Sequence, residues 1–204
     1  RLAAEQGYAR AQRDLGLMYD KGHGVPQNYK TAVKWYRLAA EQGYATAQYN
    51  LGVMYKKGQG VLQDYKTAVK WYRLSAEQGY SRAQYNLGFM YDNGQGVPQD
   101  YKSAVKWYML AAKQGHTKAQ FILGWMYGEG KRVPQDYKTA VQWFKLAAKQ
   151  GFANAQFYLG NMYRTGLGVP KDYKVAVEWY RLAAEQKHHV SQYSVGVMYS
   201  KGQG

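Results

Sequence analysis

Apolar residues along this chain fall into two alternating helical patterns. In residues 44–79, Ala47, Leu51, Met54 and Tyr55 stand at i, i+4, i+7 and i+8, which is one face of a helix. The run Gly58-Gln59-Gly60 breaks the pattern, and Gly58 suits a C-terminal cap in the left-handed region. Asp64 follows as an N-cap, with Asn28, Asp100, Asp136 and Asp172 at the matching positions. The helix it opens, 65–78, carries Ala68, Val69, Tyr72 and Ala76 on its inner face and stops at Gln78-Gly79. Only two or three residues lead into the next helix, so neighbouring helices must run antiparallel.

This pair of patterns repeats. Trp35, Trp71, Trp107, Trp143 and Trp179 are 36 residues apart, as are Gln12, Gln48, Gln84, Gln120, Gln156 and Gln192. Segments 44–79 and 80–115 share 26 of 36 residues, which fixes the period. The expected fold is all-α, an α-solenoid of stacked helix pairs. A single domain, 1–204, is expected, with units 8–43, 44–79, 80–115, 116–151 and 152–187 and partial units at 1–7 and 188–204. This reads as a slice through a longer or open-ended array. The glycine column beginning at Gly16 and Gly52 sits in mid-helix, where glycine costs ~1 kcal/mol against alanine. Close approach of the paired helix explains it. The Trp35 and Tyr36 columns read as core wedges between units.

Three segments carry a family resemblance: Ala83-x3-Leu87-Gly88-x2-Tyr91, Gly94-x-Gly96-Val97, and Trp107-Tyr108-x2-Ala111-Ala112-x2-Gly115. Together they resemble the Sel-one-like repeat family, and the resemblance covers the whole chain. It implies a right-handed α/α solenoid of 36-residue antiparallel helix pairs and a non-catalytic scaffold for protein–protein interaction. Cysteine-rich members of the wider family staple their helix pairs, whereas this chain has no Cys.

Four first-helix columns drift from unit to unit while the scaffold stays fixed. They begin at Arg10, Asp14, Leu17 and Asp20, and offsets of 0, +4, +7 and +10 place them on one face. By resemblance to tetratricopeptide-type repeats, that face lines the concave groove. The expected groove is aromatic in its middle, around Tyr85, Phe89, Phe121, Trp125 and Phe157. Asn50, Asn86 and Asn161 also fall in these columns, the first two suited to bonding a peptide backbone, and Arg82 and Lys118 would form a basic border. The column of Tyr85 has a second reading, as packing against the next unit's first helix. In unit 116–151 the loop reads Gly130-Lys131-Arg132, with Arg132 where the siblings have glycine. A left-handed conformation would strain arginine, so this loop should take another path.

Charge changes the picture less than its size suggests. The chain carries 28 Lys+Arg against 13 Asp+Glu, a net charge of +15. The five units hold +3, +3, +2, +4 and +2, so the charge belongs to the repeat rather than to a tail. Lys66, Lys102 and Lys138 place it on the solvated face of the second helix. A basic nucleic-acid-binding solenoid and a self-stacking structural module are the alternatives to a peptide scaffold, and nucleic acid is disfavoured because Asp20 and Asp92 stand in the groove columns. No apolar run approaches the ~18 residues that cross a bilayer, so no membrane insertion is expected. The four His show no zinc spacing, and the glycine loops lack the Lys-Ser/Thr of a phosphate-binding loop. No enzyme activity, cofactor, metal or small-molecule substrate is therefore expected; the expected ligand is a protein or peptide.

Overall fold

The computed structural model describes residues 1–204 and is all-helical. A short α1 (Leu2–Glu5) precedes eleven longer helices: α2 (Ala9–Lys21), α3 (Tyr29–Glu41), α4 (Ala45–Lys57), α5 (Tyr65–Glu77), α6 (Ser81–Asn93), α7 (Tyr101–Lys113), α8 (Thr117–Glu129), α9 (Tyr137–Lys149), α10 (Ala153–Thr165), α11 (Tyr173–Glu185) and α12 (His189–Ser200). The even-numbered helices from α2 on are the first of each pair and the odd-numbered ones the second, at a spacing of 36 residues. This is the α/α solenoid class of fold. None of the helices is long and apolar enough to cross a membrane.

The caps are where the sequence puts them. Gly22, Gly58, Gly94, Gly130 and Gly166 close the first helices in the left-handed conformation. The Asp64 side chain accepts hydrogen bonds from the backbone N–H groups of Lys66 and Thr67 and, at 2.6 Å, from the Thr67 hydroxyl. Asp100 with Ser103 and Asp136 with Thr139 repeat that arrangement. These bonds, the hydroxyl's foremost, hold all three carboxyls below the usual aspartate range.

By internal contacts the chain divides into Arg1–Leu110 and Ala111–Gly204. Within Arg1–Leu110, one core joins α3 and α4 through Val33, Tyr36, Leu51 and Met54, and Trp71 of the following unit packs against it. The next core joins α5 and α6 through Val69, Tyr72, Leu87 and Met90, with Trp107 against it. Within Ala111–Gly204, Val141, Phe144, Leu159 and Met162 form the corresponding core under Trp179. The tryptophan column therefore wedges between successive units. In the five complete pairs the mid-helix glycine lies against the buried ring of its partner helix: a methyl group on Gly52 would sit 2.7 Å from two carbons of the Tyr72 ring.

A buried glutamine ladder ties successive second helices together. Gln48, only 4% exposed, donates from Nε2 to the Ala40 carbonyl, and its Oε1 accepts from Gln78 at 2.8 Å. Gln12 does the same with Ala4 and Gln42, and Gln156 with Ala148 and Gln186. Each amide thus caps the carbonyl end of one second helix and is held by the end of the next.

The fourth interhelical loop departs from its siblings as expected. Gly60, Gly96 and Gly168 have φ of +72°, +73° and +75°, and a side chain on any of them would overlap the backbone of Tyr29, Tyr65 or Tyr137 respectively. Arg132 at the matching position has a negative φ, since Lys187 is the one non-glycine residue with φ above zero. Lys187, at φ 63°, stands where Gly43, Gly79, Gly115 and Gly151 close the other second helices.

Three outcomes follow from these contacts. Gly52→Ala should destabilise the chain by about 1–2 kcal/mol in urea unfolding, because overpacking against Tyr72 (~1–3 kcal/mol) outweighs the helix-propensity gain; unchanged stability would refute the close-approach account. Lys187→Gly should stabilise by about 0.5–1 kcal/mol through relief of left-handed strain, raising the melting temperature by about 2–4 °C per kcal/mol. The three depressed aspartates contribute stability above their unfolded value of about 3.9 and lose it as pH falls through the lower folded values. The melting temperature should therefore hold from pH 7 to 5 and fall in acid. Replacing Asp64, Asp100 and Asp136 by Asn, the cap that Asn28 already supplies, should flatten that fall.

Candidate functional site

The predicted groove residues lie on the first helices in two kinds of setting. Arg82 and Lys118 are exposed in the opening turns of α6 and α8. The aromatic column is half-buried, and its rings lean on the buried ring of the same pair: Tyr49–Tyr72, Tyr85–Tyr108, Phe121–Phe144 and Phe157–Tyr180 centroids are 6.0, 5.7, 5.9 and 5.8 Å apart. Three of these rings also meet the first residue of the next unit, at Tyr80, Phe152 and His188, with centroids 5.2–5.3 Å apart. This column packs within and between units while keeping one side toward the first-helix face.

Phe89 and Trp125 each carry a cation. The Lys56 ammonium stands 4.2 Å from the Phe89 ring centroid, and the Arg132 guanidinium 4.9 Å from that of Trp125. Burial, helped by neighbouring Lys57, lowers the Lys56 pKa. Asn50 and Asn86 are half-buried. Asn161 is tied to its own pair: its Oδ1 accepts from the Tyr180 hydroxyl at 2.7 Å, and that hydroxyl accepts from Arg164 Nε at 3.2 Å.

Three of these residues, Asn50, Trp125 and Asn161, line a recess that occurs at three places in register with the repeat. One is formed by α2, α3 and α4, a second by α8, α9 and α10, and a third by α10, α11 and α12. Seven lining positions are shared by all three. The wall residue is Asp20, Gly128 or Arg164; the floor ring is Tyr36, Phe144 or Tyr180; the opposite wall is Asn50, Tyr158 or Ser194. Three of the four drifting columns supply these walls, and the column of Arg82 and Lys118 does not. Asn161 lines two of the recesses, Trp125 and Asn50 one each.

The three differ in size and chemistry. The Asp20 recess is about 40 Å³, roughly one water, and polar. Burial and then the Asp20 charge push the Tyr36 phenol far above its ordinary value, so the floor stays a neutral hydroxyl. The Arg164 recess is about 130 Å³ and is lined by Arg164, Ser194 and Lys201. The Gly128 recess is about 250 Å³ and apolar, walled by Trp125, Tyr158, Met162 and Leu167. Here the floor is Phe144, which has no hydroxyl, and Tyr158 stacks on it at 5.3 Å and 19°. A unit that loses the floor hydroxyl has also lost the charged wall residue and the asparagine opposite.

Sequence reasoning placed Trp125 and Asn161 but did not single out Gly128, Phe144 or Tyr158. The signal was the coincidence, in one unit, of Gly for a charged residue and Phe for Tyr.

Six copies of the Sel1 repeat match the chain, at residues 9–44, 45–80, 81–116, 117–152, 153–188 and 189–204. No curated protein matches it significantly in sequence. Among solved structures, a protective antigen of uropathogenic Escherichia coli strains displaying an SLR fold is similar over 98% of this chain, at 42% identity and a TM-score of 0.96. The chain spans only 43% of that protein's length. A Sel1 repeat protein from Oxalobacter formigenes matches 88% of this chain and 74% of its own, at 40% identity and a TM-score of 0.83. A Sel1 repeat protein from Klebsiella pneumoniae shares the fold at 23% identity and a TM-score of 0.60, over 97% of this chain and 96% of its own. Repeats of this kind generally serve as protein–protein interaction scaffolds. With the 36-residue helix pair, its glycine-capped loops and six matching repeats in hand, the chain belongs to the Sel1 repeat family.

Proposed function

We propose that this chain is a non-catalytic scaffold that binds a peptide or protein segment along the groove lined by its first helices. The observation that carries this reading is the recurring recess: one frame, present at three helix pairs in register with the repeat, with different wall chemistry each time and a floor that changes from Tyr to Phe at Phe144. The two recesses one repeat apart within Ala111–Gly204, at Gly128 and Arg164, suit an extended ligand that offers successive side chains, much as other helical repeats read one unit of ligand per unit of protein. The half-buried Asn50 and Asn86 supply both hydrogen-bond donors and acceptors for a peptide backbone. Tyr85, Phe89, Phe121, Trp125 and Phe157 supply rigid aromatic surface, and Arg82 and Lys118 a basic border.

A random peptide library displayed on phage tests the reading. Selected peptides, measured in solution, should lose about tenfold or more in affinity to Phe89→Ala or Trp125→Ala, with helicity and melting preserved. The Lys66/Lys102/Lys138→Ala triple variant on the second helices should bind as the parent does. Recovery of no peptide, or full binding by both aromatic variants, would sink the groove. Strongly salt-dependent RNA or DNA binding lost in the triple variant would favour a nucleic-acid ligand instead.

A further inference from the structure

The recess at Gly128 is the widest of the three, and a lysine two repeats away shows what fills that position elsewhere. At the position of Gly128 the other units carry Asp20, Lys56, Asp92 and Arg164. Lys56 sends its ammonium onto the ring of Phe89, which occupies the wall position that Asn161 holds beside Gly128. The long side chain thus closes over its own unit's counterpart of the recess. At Gly128 that side chain is deleted, and about 250 Å³ is left. An apolar cavity of about 150 Å³ already accepts benzene, so this volume takes a phenyl ring with room for its methylene. Nothing in the backbone demands the glycine: a methyl there would stand 3.8 Å from Ala140 and 3.9 Å from Met162, ordinary contact distances.

The surroundings select the charge of what enters. In α8, α10 and α12 the charged residues are Lys118, Arg164 and Glu129. Glu129 lines the recess but is engaged by Lys131 at 3.2 Å. Arg132 lies over Trp125, one wall of the recess. Cations therefore outnumber the one, already paired, carboxylate on this face. A second copy of the chain is a poor occupant, because each copy carries +15.

We propose that the Gly128 recess is an anchor pocket for one phenylalanine-sized apolar side chain, presented by an acidic peptide segment of a partner protein. This rests on the reading of the first-helix face as a peptide groove and names the ligand chemistry at one point along it. The anchor ring displaces water from an apolar floor, and flanking carboxylates meet Arg132 over Trp125 and, further along the peptide, Lys118 in the opening turn of α8.

The test uses the whole chain, isotope-labelled for NMR, and three synthetic probes: Asp-Glu-Phe-Glu-Asp, the same peptide with alanine for phenylalanine, and Lys-Lys-Phe-Lys-Lys. The acidic phenylalanine peptide should give saturable shifts at Gly128, Trp125 and Asn161. The alanine and lysine versions should each bind about tenfold more weakly or worse. Gly128→Lys and Gly128→Asp, which install the siblings' own residues, should abolish those shifts at unchanged or raised melting temperature, and Gly128→Ala should weaken them. Equal binding of the alanine peptide, equal binding of the lysine peptide, or undiminished binding to both filled variants overturns the proposal. So does benzyl alcohol occupying the recess as tightly as the peptide, which would make it a small-molecule site. Shifts confined to Asn50 and Asn86 would reject the anchor and leave the groove standing. Shifts nowhere on the first helices, with these probes and with library-selected peptides, would reject the groove as well.

Discussion

A glycine lying flat against a buried aromatic ring sets the geometry of every complete helix pair. At Gly16, Gly52, Gly88, Gly124 and Gly160 an added methyl would stand 2.6–2.9 Å from the nearest ring atom of the second helix. With no Cβ in the way, the first helix settles directly on Tyr36, Tyr72, Tyr108, Phe144 or Tyr180, all 0–1% exposed. The helix-propensity cost of a mid-helix glycine, ~1 kcal/mol, is offset by burial of the largest fully buried side chain in each unit. The same ring is the floor of the recess. Scaffold and candidate site therefore share one contact, and the depth of the site follows from how closely the helices approach.

Two further contacts carry that geometry from one unit to the next. The buried glutamines Gln48 and Gln156 take up a carbonyl at the end of one second helix and are themselves held by the following one, so both ends of each amide are paired. The loop glycines let the connection between helices lie against the start of the preceding second helix, where any side chain would collide. The loop carrying Arg132 lacks this device. It is also the loop beside the widest of the three first-helix recesses, and its arginine has turned onto Trp125 instead. The most divergent loop and the most divergent recess thus belong to the same unit.

Much of the fold was legible because its signals are local. Period, caps and inner faces need only spacing and residue type: Gly58 is left-handed, Asp64 caps α5, and Ala47, Leu51 and Met54 are buried, as their positions demand. The candidate site was legible only in part. Drift between units pointed to the first-helix face that carries the recesses and to Trp125 and Asn161, which line one of them. It could not separate Tyr85 as a surface from Tyr85 as a packing element, because a half-buried ring on Tyr108 is both. Nor could it rank the units, since a recess is built by three helices and its volume depends on all of them at once.

The sequence by itself determined the repeat, its helix pairs, their ends and the family, because each depends on residues a few positions apart. Tertiary structure alone decided that Gly128, Phe144 and Tyr158 stand around one space. Those residues are 16 and 14 positions apart and meet only when the first helices of successive units close over the second helix between them. Glycine at position 128 then reads differently from glycine at position 124. At 124 the missing side chain is filled by a ring, and at 128 it is left open for a ligand's.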